Sequence, residues 1–200
     1  MFDVAVVGGG PAGSSCAAFC AKAGLQTLLL EREVFPREKV CGDCLNPGCW
    51  PIFRRLQILE RVQLLPHEVL DRVEFIGISG CALSVNLPGG EEAEITVKRS
   101  LFDQLLMERA RELGAQIHEG RTVTALTAPT KRKRSWAVTA GAETFEAKLL
   151  VAADGRNSTI ARLSQLLPKG TKERIALQTH LPLPRDFGNR VVSSIKKWVC

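Results

Sequence analysis

The sequence predicts an α/β fold in which a βαβ unit opens a central parallel sheet and antiparallel strands are inserted later. Three observations carry this expectation. Two short apolar runs, Asp3 to Val7 and Gln26 to Glu31, flank a small-residue stretch of helical length. A third aliphatic run, Leu149 to Ala153, lies far downstream and ends on Asp154-Gly155. Between them, alternating or β-branched runs are separated by the turn signals Ser79-Gly80 and Pro88-Gly89-Gly90.

Asp3 to Val7 reads as a strand buried on both faces, and Pro11 to Ala23 as a helix whose first turn tolerates a proline and which Gly24 ends. Gln26 to Glu31 is the second strand. Arg32 to Gly48 has neither strand nor helix period and is expected to be a long loop, a type of segment that is often functional. Trp50 to Gln63 spaces Ile52, Phe53, Leu56 and Leu59 as one helix does. Leu70 to Ile78, Ala82 to Leu87 and Glu94 to Val97 are expected to be the inserted antiparallel strands. Ser100 to Leu113 is a helix, with Ser100 as N-cap, Asp103 three residues on and Gly114 as the stop. Further strands are expected at Ala115 to Glu119, Thr122 to Ala128, Ser135 to Thr139, Thr144 to Ala147 and Leu149 to Ala153. A helix follows at Ser158 to Leu166, then a strand at Ile175 to His180, and the last stretch shows no pattern.

Composition narrows the class. A chain of 200 residues, 45% hydrophobic and 24% charged, has the apolar content for one principal core and is neither fibrous nor wholly disordered. The net charge of +6 is dispersed except at Lys131-Arg132-Lys133-Arg134, which lies between two expected strands with no interleaved aromatics. That run reads as a solvated hairpin tip rather than a nucleic-acid surface. Seven irregularly spaced cysteines point to free thiols in a reducing compartment, and the cytoplasm is the expected location. No apolar run approaches the roughly 20 residues of a membrane helix.

The chemistry is concentrated where the first strand meets the first helix. Gly8-x-Gly10-x-x-Gly13 lets the backbone turn sharply and approach a pyrophosphate closely, and the helix start beyond it offers unpaired N–H groups to an anion. Glu31 closes the second strand 18 residues after Gly13. There it would accept hydrogen bonds from ribose hydroxyls and repel a 2'-phosphate, favouring FAD or NAD over NADP. An NAD dehydrogenase would continue with further βαβ units, whereas the long loop and antiparallel insertion suit a flavoprotein.

Four segments carry a family resemblance: Gly8 to Gly13 with Glu31; Phe35-Pro36-Arg37-Glu38-Lys39-Val40-Cys41-Gly42-Asp43; Val97-Lys98-Arg99-Ser100-Leu101-Phe102-Asp103; and Ala153-Asp154-Gly155-Arg156-Asn157-Ser158 with Arg162. With them the chain resembles, from about residue 1 to about residue 190, the FAD-dependent oxidoreductases that include aromatic-ring monooxygenases and geranylgeranyl reductases. The resemblance implies a Rossmann-like FAD-binding domain in which Pro11 opens the phosphate-facing helix and Ala12 and Gly13 meet the pyrophosphate. It places Glu31 and Arg32 at the adenosine ribose and Gly42 and Asp43 beside the flavin. Arg99 would reach the cofactor from its helix start, and the Val123 backbone would border the adenine. Asp154 and Gly155 would form a supporting turn and, in the monooxygenases, serve a transient NAD(P)H donor.

Cys41-x-x-Cys44 has the spacing of a redox or zinc pair, but no second pair completes a metal site. The resemblance places Cys41 near the flavin, as in the reductase branch, and leaves the role of Cys44 open. Cys16 and Cys20 are expected to pack. None of His67, His118 and His180 has a nucleophile pattern beside it.

The expected organisation is a discontinuous FAD-binding domain at 1–65 and 98–165, inserted strands at 66–97, and the start of a truncated substrate domain at 166–200. The favoured activity is FAD-dependent oxidation or reduction of a small molecule, by monooxygenase or reductase chemistry. An NAD-dependent dehydrogenase and a non-catalytic nucleotide-binding fragment are the alternatives.

Overall fold

The aliphatic runs at the two ends of the long insertion lie side by side in one sheet. The computed structural model describes residues 1–41, 43–166, 179, 181–182, 184–185 and 187–194. In chain order the elements are β1 (Phe2–Val7), α1 (Pro11–Lys22), β2 (Thr27–Leu30), β3 (Cys44–Leu45), α2 (Trp50–Leu56), α3 (Leu59–Gln63), β4 (His67–Leu70), β5 (Arg72–Ile76) and β6 (Ala82–Asn86). There follow β7 (Glu94–Val97), α4 (Arg99–Glu112), β8 (Gln116–His118), β9 (Val123–Thr127), β10 (Trp136–Ala140), β11 (Glu143–Ala152), α5 (Thr159–Leu163) and β12 (Arg190–Ser194). The chain divides into two units, Met1–Lys39 with Arg99–Ile175, and Val40–Lys98 with Ala176–Cys200. This division falls after Lys39, whereas the sequence reading set its first boundary at residue 65.

The first unit is built on a six-stranded sheet in the order β8-β2-β1-β11-β10-β9. β1 pairs in parallel with β2 and β11, and β8 extends the parallel part. Val4 to Val7 and Leu28 to Leu30 are all buried, as strands covered on both faces require. Ala5, Val7, Leu28 and Leu30 join Val138, Ala147 and Ile160 in one apolar cluster. α1 packs against α4. Ala17, Ala18 and Ala21 of the one and Leu105, Leu106 and Ala110 of the other are buried, and the small alanines permit close helix approach.

β11 corrects the sequence reading, which divided it into two strands. It is continuous over ten residues, antiparallel to β10 in its first half and parallel to β1 in its second. Lys148 does not interrupt it, because its ammonium reaches solvent and pairs with Asp3 at 2.7 Å. The expected basic hairpin tip is observed: Lys131 to Arg134 are exposed between β9 and β10.

The second unit holds two three-stranded sheets, β12-β5-β6 and β3-β7-β4, rather than a single antiparallel insertion. The run read as one strand from Leu70 breaks at Asp71, whose N–H donates to Asn189 and whose carbonyl accepts from Leu87. β12, which the sequence left without pattern, pairs in parallel with β5. The single helix expected over Trp50 to Gln63 is two. Gln57 takes a left-handed conformation at φ 58°, and the N–H of buried Ile58 closes α2 on the Phe53 carbonyl. Neither glycine nor proline marks that break. The strand expected at Ile175 to His180 lies, apart from Thr179, outside the described residues.

Candidate functional site

The turn between β1 and α1 is held tight by backbone contacts that leave no space for side chains. Gly8 has φ +104°, and a Cβ on it would lie 2.4 Å from the Ala153 carbonyl oxygen. At Gly13 a Cβ would stand 1.8 Å from the Gly8 carbonyl oxygen. Both glycines are therefore demanded by the protein itself.

Gly10 differs. It stands at the N-cap of α1 in extended conformation, with no side chain capping the helix. A Cβ there would meet only the Arg37 Nη2 at 3.7 Å and the Arg99 Nη2 at 4.0 Å. The space beside Gly10 is bounded by two guanidinium groups and by a helix start whose first N–H groups have no intrahelical acceptor.

One carboxylate organises those guanidiniums. Asp103 is fully buried and accepts from Arg99 Nε and Nη2, each at 2.7 Å, while Arg37 Nη2 stands 3.1 Å from its Oδ2. The Arg37 guanidinium also lies 4.8 Å from the centre of the Phe35 ring, and its buried Nη1 has no hydrogen-bond partner. Two guanidiniums beside the positive end of the α1 dipole make an environment suited to a bidentate oxyanion such as phosphate.

The cleft that starts here has a volume of about 480 Å³, within the roughly 300–1,000 Å³ of small-molecule sites. Gly8, Gly10, Pro11 and Ala12 line it, with Arg37 and Arg99. Glu31 and Arg32 also line it, as do Arg121, Thr122 and Val123, and the Arg121 N–H donates to the Glu31 carbonyl. Asp154, Gly155, Asn157 and Thr159 contribute from the β11–α5 turn.

Several sequence-predicted residues have protein partners of their own. Glu31 is 5% exposed, and its two carboxylate oxygens accept the N–H groups of Gly9 and Glu33. Each oxygen keeps a second lone pair for a sugar hydroxyl. Asp154 accepts from the Ser158 hydroxyl and from the Ile160 N–H, so its carboxylate also caps α5. Gly13 packs under the turn and is not among the residues lining the cleft.

Gly42 lies outside the described residues. Asp43 belongs to the second unit, at φ 56°, and its carbonyl accepts from Val97 N–H. The expected N-cap at Ser100 is not the helix start. α4 begins at Arg99, and Asp103 is drawn to two arginines instead of to the helix terminus.

Arg37 and Arg121 had no assigned role in the sequence reading. Arg37 sits in a loop without period, where no pattern marks one cation above another. Asp103 was read as a partner of the Ser100 cap, so its pairing with Arg99 four residues before it on the helix was also missed, although that spacing is one that side chains of opposite charge use. Among the described residues no cluster of three His, Cys, Asp or Glu gathers as a metal site, and no helix is long and apolar enough to cross a membrane.

The glycine turn, the two arginines and the carboxylate at the end of β2 all border this one cleft, and comparison with known proteins says to which family the chain belongs. A family profile described as FAD binding domain matches residues 1–180. The chain belongs to that family. FAD is the cofactor of this domain, and the residues present fit it: the bare Gly10 and the buried Arg37 Nη1 without a hydrogen-bond partner suit its diphosphate.

Geranylgeranyl diphosphate reductase of Synechocystis sp. is 33% identical over 202 residues, which cover 93% of this chain and 46% of the reductase. A flavin-dependent halogenase of Armillaria mellea is 36% identical over 129 residues, 59% of this chain and 24% of the halogenase. The crystal structure of the flavin-dependent halogenase CmlS superposes with a TM-score of 0.71 at 29% identity, covering 82% of this chain and 31% of that one. This chain thus spans less than half the length of each of these proteins.

Proposed function

We propose that this chain is the FAD-binding portion of a flavin-dependent oxidoreductase of the reductase type, acting on a small molecule. The FAD diphosphate lies at the start of α1 between Arg37 and Arg99, its adenosine ribose at Glu31 and its adenine along Thr122 and Val123. The observation that carries this reading is the space at Gly10, which two guanidiniums border and no protein atom fills.

Reductase chemistry is favoured by the relative with 33% identity across 93% of the chain, a geranylgeranyl diphosphate reductase, and by the Cys41-Gly42 step in the long loop. Bound FAD supplies the hydride or electron transfer. The protein's share is to orient the cofactor and to neutralise its phosphates. Arg99 and Arg37 do the latter, held in place by Asp103. Glu31 fixes the sugar while tying the glycine turn to β2.

The purified chain titrated with FAD and with NAD tests this directly. The expected result is one flavin bound per chain, with the flavin absorbance retained through gel filtration and no comparable NAD binding. A chain that binds NAD and leaves FAD free overturns it.

A further inference from the structure

We propose that Arg121 recognises the adenine of the bound dinucleotide, its guanidinium plane stacking on the base. This rests on the reading of the cleft as an FAD site and adds a residue that neither the glycine turn nor the ribose carboxylate accounts for.

The placement follows from the backbone. The Arg121 N–H donates to the Glu31 carbonyl at 2.7 Å, so the chain entering β9 runs directly beside the end of β2. A nucleotide with its phosphates at Gly10 and its sugar at Glu31 sends its base onward, to the part of the cleft that Arg121, Thr122 and Val123 line. Of these three, Arg121 alone carries a planar group.

That group is held. Arg121 Nη2 pairs with Glu143 Oε1 at 2.7 Å, and Nη1 stands 3.5 Å from the position a Cβ would take on Gly141, in the β10–β11 turn at φ +63°. A Cβ at Gly141 would lie in van der Waals contact with the guanidinium, so the turn packs directly against it. Both members of the ion pair are about two-fifths or more exposed, at 39% and 47%, and such surface pairs add little to stability. Its use is in holding a plane still.

Glu143 also cancels the arginine's charge. The site so formed is a neutralised flat surface, suited to a π-face and unsuited to a second phosphate. Arginine stacks on bases through its delocalised plane, which lysine lacks.

Calorimetric titration of the full chain with ADP and with inorganic pyrophosphate tests the proposal. Arg121→Leu is expected to weaken ADP by about five- to twentyfold and to leave pyrophosphate affinity unchanged. Arg121→Lys, with charge but no plane, is expected to stay closer to the leucine variant than to the unaltered chain. Glu143→Gln, which unties the guanidinium, is expected to weaken ADP two- to threefold and serves if the leucine variant does not fold. Unchanged ADP affinity in these variants overturns the proposal. So does a parallel loss of pyrophosphate, or tighter binding of adenosine 2',5'-bisphosphate than of ADP by the unaltered chain. If Gly10→Val loses ADP while Arg121→Leu keeps it, the stacking falls and the FAD reading stands. If the unaltered chain binds neither ADP nor FAD, both fall.

Discussion

The buried carboxylate of Glu31 accepts the backbone N–H of Gly9, joining the end of β2 to the glycine turn across 22 residues of sequence. With its other oxygen it accepts the Glu33 N–H at 2.9 Å. Glu31 is therefore part of the turn as well as of the cleft lining.

Glu31→Ala is expected to lower the stability of the FAD-free chain by about 2–4 kcal/mol, because two amides lose their acceptor in a place where water does not readily replace it. Urea unfolding of the apoprotein checks this. A variant as stable as the unaltered chain but poorer at holding FAD assigns Glu31 to the ligand alone.

The Asp103 carboxylate pairs with both Arg37 and Arg99, whose side chains are only 14% and 15% exposed. Asp103→Asn removes the charge that both nearly buried guanidiniums share and is expected to cost about 3 kcal/mol. The measurement is the midpoint of chemical denaturation. Loss of less than about 1 kcal/mol contradicts the clamp, being what a surface pair gives.

Burial pushes the Cys44 thiol up from its ordinary range, and the nearby Glu94, Asp43 and Cys41 add to the shift. The thiolate is the reactive form, so a raised pKa means less of it at any given pH. Alkylation of Cys44 at pH 8 is expected to be slower than that of a free cysteine and to accelerate only at higher pH. Mass-spectrometric peptide mapping after timed iodoacetamide exposure checks this; labelling of Cys44 at the rate of free cysteine at pH 8 contradicts it.

The elements of the first unit were largely legible because its strands are aliphatic runs and its glycine turn is local in sequence. Asp3 to Val7, Pro11 to Ala23 and Gln26 to Glu31 each match an element within a residue or two. The division of β11 was misread because a lone lysine resembles an interruption until its partner, Asp3, is seen across the sheet. The break at Gln57 left no signal, since a left-handed glutamine is imposed by the burial of Ile58 and not by its own preference. In the cleft, Gly10, Glu31 and Arg99 were legible from spacing and resemblance. Arg37 and Arg121 were not, because each acquires its place from a carboxylate distant in sequence, Asp103 and Glu143.

Gly13→Ala is expected to prevent correct folding even without cofactor, since the added Cβ would fall 1.8 Å from a backbone oxygen. Circular dichroism of the apoprotein decides; a native spectrum and an unchanged melting temperature contradict the packing described.

Gly10 gives the opposite expectation, and FAD affinity of Gly10→Val against the unaltered chain is the most direct test. Its extended backbone accepts valine, and the nearest atoms to an added Cβ are the ends of two arginine side chains, at 3.7 and 4.0 Å. The variant is expected to melt within a few degrees of the unaltered apoprotein while binding FAD at least a hundredfold more weakly. FAD held equally by both contradicts the placement of the diphosphate at this turn.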